Sequence, residues 1–150
     1  MSIIQDLYTI YDREQAKYHA RRSSQNRLQV ELQQNLAFLR EGLREQLPHR
    51  RIIDGLELQQ YVAAGRQGLD LNRLQKKKLA AQTYGDIREF DRYRGWTTAR
   101  LIETVYERLA TLKKLAGNER HIDQLARLRN LFKLLMLLVA HIQGQRLRGS

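Results

Sequence analysis

The chain has 150 residues, 42% of them hydrophobic, with one proline, nine glycines and no cysteine. That length suits one domain, residues 1–150, burying about two thirds of its unfolded surface, and the apolar content argues against disorder. Absence of cysteine excludes disulfides and thiolate metal sites, while a net charge of +11 points toward polyanionic partners.

The charge excess is not a detachable tail. Residues 1–47 carry a net +1, residues 48–95 a net +4 and residues 96–150 a net +6. The N-terminal MSIIQDLYTIYD has no basic leader and Asp6 interrupts its apolar run, so a cytosolic location is expected.

Ser2 and Gln5 have capping-box spacing, which predicts a helix from residue 3 with Ile3, Ile4, Leu7, Ile10 and Tyr11 on one face. Residues 12–27, DREQAKYHARRSSQNR, then contain no Leu, Ile, Val, Met or Phe. Leu28, Leu32, Leu36, Leu39, Leu43 and Leu47 follow at helical period up to Pro48. Residues 3–47 are therefore either one rod of about 67 Å or two helices broken near residues 22–26, where Ser23 and Ser24 offer a cap.

Ile52, Ile53, Leu56 and Tyr61 predict a shorter helix ending in the turn Gly65-Arg66-Gln67-Gly68. Asp70 caps an expected third helix through Leu71, Leu74 and Leu79, with Gly85 as its stop, a restart at Asp86 and a further end at Gly95. Thr97 or Thr98 opens a helix carrying Leu101, Ile102, Val105, Leu109, Leu112 and Leu115, closed at Gly117-Asn118. In Leu131–Ile142 only Lys133 and His141 are polar, which predicts a helix buried on nearly every side. Twelve residues are too few to cross a membrane, which takes about 20. With no strand signal, the expected fold is all-α, an up-and-down bundle of four to five helices with a long N-terminal helix and a largely buried C-terminal one.

Catalytic and metal motifs are sparse. His19, His49, His121 and His141 form no i,i+3 or i,i+4 pair, and Glu119 with Asp123 suits a helix N-terminus, so no metal or cofactor is expected. Gly65-x-x-Gly68 matches the backbone clamp of one RNA-binding module, but that module requires strands. Arg13 and His19, with five residues between them, resemble the Arg–His spacing of HEPN-type helical ribonucleases. That resemblance implies a metal-independent nuclease in which His19 moves the proton and Arg13 holds the phosphate. The family's polar residue after the arginine is replaced here by Glu14, which would repel phosphate, and Arg129-Asn130 has no histidine downstream.

Two stretches mix cations with aromatics. Arg13, Lys17, Arg21 and Arg22 occupy the first, beside Tyr11 and Tyr18. The second, residues 75–96, holds Lys76, Lys77, Lys78, Arg88, Arg92 and Arg94 among Tyr84, Phe90, Tyr93 and Trp96. Cations neutralise phosphates, and exposed rings such as Tyr93 and Trp96 would stack on unpaired bases. The favoured function is a non-enzymatic basic bundle that binds RNA or single-stranded DNA. The alternative is an interaction subunit that self-associates or binds another protein through the Leu28–Leu47 and Leu131–Ile142 helices. No membrane role is expected, because the charged stretches lack an apolar face to insert.

Overall fold

A computed structural model describes residues 3–15, 27–116 and 123–147. These form seven α-helices: α1 (Ile3–Arg13), α2 (Arg27–Arg44), α3 (His49–Gly55), α4 (Gln59–Arg66), α5 (Ala81–Tyr84), α6 (Thr98–Leu115) and α7 (Gln124–Gln143). Two 3₁₀ segments, Leu71–Arg73 and Arg88–Tyr93, complete the regular structure, and there is no strand among the described residues.

α7 is the axis of the bundle. Every residue from Leu134 to Ile142 is buried, including His141, so no outward face remains over that run. Such a helix needs neighbours all round, and α1, α2, α5 and α6 supply them. Thr97 caps α6 by accepting a hydrogen bond from the Arg100 backbone, and Asp123 caps α7 through Ala126. Gly144, at φ 68°, ends α7 in the left-handed conformation that favours glycine.

α1 and α2 lie against one another rather than end to end. In a continuous rod Asp12 and Arg40 would be about 42 Å apart. Instead the Arg40 guanidinium grips the Asp12 carboxylate at 2.6 and 2.9 Å, Arg44 reaches the same carboxylate at 2.7 Å, and Arg40 covers the Tyr8 ring at 4.0 Å. The single-rod reading is thereby corrected. Leucine periodicity identifies a helix face, but carries no information about where the chain reverses. Residues 16–26 of the aliphatic gap lie outside the described residues, and with them Lys17, His19, Arg21 and Arg22.

The expected second helix is two. α3 ends at Gly55, after which Leu56 is extended at φ −71° and ψ 140°. Two polar side chains of α2 hold this break open. Asn35 exchanges hydrogen bonds with the backbone of Glu57 at 2.7 and 2.9 Å, and Glu31 accepts from the Gln60 and Tyr61 backbone N–H groups at 2.8 and 3.3 Å. Glu31 thus caps α4 from a neighbouring helix, satisfying donors that α4 leaves open. At this same C-terminal end of α3, Lys113 donates to the Ile53 carbonyl at 2.9 Å.

The expected third helix through Leu71, Leu74 and Leu79 does not form. Asp70 does accept from the Asn72 backbone, but only one 3₁₀ turn follows, and residues 74–80 are irregular. Here side chains bond to backbone groups that a helix would otherwise use. Asn72 accepts from Ala99 N–H at 2.9 Å, and Gln75 accepts from the Lys77 N–H at 3.2 Å. Three adjacent lysines add like-charge repulsion that a helix would concentrate.

The leucines assigned above to an intermolecular seam are used within the chain. Leu28, Leu32, Leu36 and Leu39 are buried, as is the whole Leu134–Ile142 run, and Leu43 and Leu47 pack against the same core. These faces therefore have no exposed leucine stripe for a partner. Among the described residues, the large hydrophobic side chain left exposed is Val62.

Candidate nucleic-acid interface

Residues 70–97 run as an irregular strap over the ends of α6 and α7. Its path is set by hydrogen bonds rather than by helical repeat. Gln75 donates to the His141 carbonyl at 3.3 Å, and the Thr98 hydroxyl donates to the Gln75 carbonyl at 2.7 Å. The same hydroxyl lies 2.8 Å from His141 Nε2, joining the ring to the strap. Burial holds the His141 imidazole below its ordinary pKa, against the opposing effect of a hydrogen bond to the Lys77 backbone. Farther along, Leu79 N–H donates to the Trp96 carbonyl at 2.9 Å and Gly95 N–H to the Leu79 carbonyl at 2.8 Å. This pairing brings Lys78 and Arg94 onto neighbouring backbone. Thr83 is tied to the C-terminal segment by a 2.7 Å bond from Leu147 N–H.

The strap exposes the charges expected of it. Lys76, Lys77, Lys78, Arg88, Arg92 and Arg94 are all exposed, as is Arg13 on α1. None of the seven makes an ion pair with a described carboxylate. Among the described residues, ion pairs join Arg40 and Arg44 to Asp12, Arg44 to Glu41, and Lys133 to Glu89. Arg13 belongs to a different helix from the strap, and its expected companions Lys17, Arg21 and Arg22 fall outside the described residues.

The aromatic residues behave differently from expectation. Tyr93 is 5% exposed and packs against Phe90 and the edge of Trp96, so its ring faces the core and offers no platform to a base. Its role is to position cations: the hydroxyl accepts from Arg108 at 3.1 Å, and the Arg92 guanidinium lies 5.3 Å from the ring centroid. Trp96 is half-buried, and Arg100 already covers its ring at 3.6 Å. Tyr84 is buried with its hydroxyl on Asp91 at 2.8 Å, which raises the phenol pKa by burial first and by the carboxylate second.

Together with α6 and α7, the 3₁₀ segment Arg88–Tyr93 of the strap encloses an open cleft of about 640 Å³. Phe90, Tyr93, Leu112 and Leu134 contribute apolar surface to its walls, and Thr111 and Asn130 contribute neutral polar groups. Arg92, Arg108, Arg127 and Lys133 bring positive charge, Glu89 and Glu107 negative. Arg108, Arg127 and Glu107 were not singled out from the sequence. A signal existed for Arg127: with Asn130 and Lys133 it recurs every third residue along one polar stripe of α7.

Among the described residues no group of three or more His, Asp or Glu side chains could hold a metal ion, and no helix is long and apolar enough to cross a membrane. In comparisons with known proteins, the chain matches no family model, no curated protein and no solved structure.

Proposed function

We propose that the protein is a binding protein for nucleic acid, RNA or single-stranded DNA, with the strap as its principal contact surface. The observation that carries this reading is the group of six exposed cations on residues 76–94 without a described carboxylate partner. Cations left unpaired in water keep their full capacity to displace counterions from a phosphate chain. An irregular strap, unlike a recognition helix, has no shape matched to a major groove, which favours flexible strands over duplex DNA. Backbone neutralisation supplies the affinity, with Trp96 available to a base only if Arg100 swings aside.

The test is binding of fluorescently labelled single-stranded RNA and DNA across a salt series. Affinity is expected to fall by about 0.7 log units per log unit of salt for each phosphate neutralised. A flat salt response, or absence of binding at low salt, overturns the reading.

A further inference from the structure

We propose that the cleft between residues 88–93, α6 and α7 recognises a phosphate monoester carried on a nucleoside, either as a free nucleotide or as the phosphorylated end of a strand. Charge balance is the first argument. Glu89 neutralises Lys133 at 3.0 Å. The remaining charged residues of the lining are Arg92, Arg108 and Arg127 against Glu107, an excess of two positive charges. A terminal phosphate carries about −1.5 to −2 at neutral pH, whereas an internal phosphodiester carries about −1. The cleft therefore matches a chain end or a mononucleotide better than a passing backbone.

Preorganisation is the second argument. The three arginines come from three separate elements, and Tyr93 restrains two of them, one through its hydroxyl and one over its ring. Guanidiniums held this way are suited to forked recognition of phosphate oxygens. Size and lining supply the third. At about 640 Å³ the cleft is far larger than a phosphate and falls in the range of small-molecule sites. Its remaining polar groups suit a nucleoside: Glu107 can accept from ribose hydroxyls, and Asn130 can both donate to and accept from a base edge.

The strand-end form of this inference rests on the proposed function; the free-nucleotide form does not. The full-length chain is titrated calorimetrically with adenosine and uridine 5′-monophosphates and with the corresponding nucleosides. In parallel, anisotropy compares one single-stranded RNA bearing either a 5′-phosphate or a 5′-hydroxyl. The nucleotides are expected to bind about tenfold or more tightly than the nucleosides. The phosphorylated strand should exceed the hydroxyl strand by a similar factor. Arg127→Ala, at an exposed position, should erase both differences without altering the circular dichroism spectrum. Replacing Lys76, Lys77 and Lys78 by alanine should weaken both strands equally and leave the difference intact. Nucleotide binding with neither strand bound supports the cleft and overturns the polynucleotide reading. Equal binding of the two strands without nucleotide binding does the reverse, and absence of all binding overturns both.

Discussion

The Tyr106 hydroxyl donates a 2.8 Å hydrogen bond to Glu31, a carboxylate that is itself only 4% exposed. Tyr61 stacks on the Tyr106 ring at 4.3 Å, and the backbone N–H groups of Gln60 and Tyr61 complete the acceptor set of Glu31. One side chain of α2 thereby joins α4 to α6. Burial, with the Glu31 charge second, raises the Tyr106 phenol far above its ordinary range, so it stays a donor at any pH the fold survives. Glu31→Ala leaves these donors without a partner and is expected to cost about 2–4 kcal/mol, read from urea unfolding. Glu31→Gln retains acceptor oxygen and should cost markedly less. Equal losses in the two variants would show that packing, not hydrogen bonding, decides the site.

Close helix packing gives a second expectation. A Cβ at Gly42 would stand 2.8 Å from Ile52 Cγ1, and Ile52 is 1% exposed. The isoleucine has little room to retreat, so Gly42→Ala should force α2 and α3 apart. The expected loss is about 1–3 kcal/mol, although alanine is the better helix former. A neutral or raised melting temperature would contradict the close approach.

The Asp12 ion pairs predict an acid-side dependence. Hydrogen bonding from Arg40, opposed by partial burial and aided by Arg44, holds the Asp12 carboxyl below its ordinary pKa. A depressed folded pKa gives stability that is present above the unfolded value near pH 3.9 and disappears as the pH falls through the folded one. The carboxylate is 37% exposed, so screening limits the effect to about 0.5–1 kcal/mol. Asp12→Asn should show that deficit at pH 7 and lose it near pH 2, by denaturant titration at both values.

His141 acts in a different window. Its imidazole is held neutral by burial, so the unfolded chain takes up a proton near pH 6.5 that the folded chain refuses until a lower pH. Stability from this group is therefore complete above about pH 6.5 and declines as the pH drops toward the folded value. Melting temperatures from pH 7.5 to 5.5 should fall in the natural chain. In His141→Gln the slope across that interval should flatten, even if the variant is less stable throughout. An unchanged slope would assign the dependence to other groups.

The strap lysines offer the converse case, function without stability. Lys76, Lys77 and Lys78 are exposed and unpaired with described carboxylates. Replacing all three by alanine should change unfolding free energy by no more than about 0.5 kcal/mol per site. The same variant should lower the salt slope of RNA binding by about 0.7 per lost phosphate contact.

Sequence pattern made the long helices legible and the connections between them much less so. α6 and α7 follow from their periodic apolar residues, and the all-round burial of α7 follows from a run in which only Lys133 and His141 are polar. By contrast, Glu31 and Asn35 look like surface residues on an amphipathic helix. Their partners are backbone groups 22 to 30 residues away and, for Glu31, also the Tyr106 hydroxyl, which no local pattern encodes. The strap failed as a helix prediction for a related reason: Asn72, Gln75 and Thr98 satisfy backbone groups across the fold. Cations were easier to read than rings. An arginine remains outside unless it finds a carboxylate, whereas a tyrosine is stable in either setting, and Tyr93 turned inward.

The central position of α7 also bears on biosynthesis. Its residues 124–143 follow the other described helices, and α1, α2 and α6 all bury apolar surface against it. A nascent polypeptide therefore leaves leucines of α1, α2 and α6 without their α7 contacts until residues 124–143 are made. Until α7 is in place, those leucines form an aggregation-prone apolar surface.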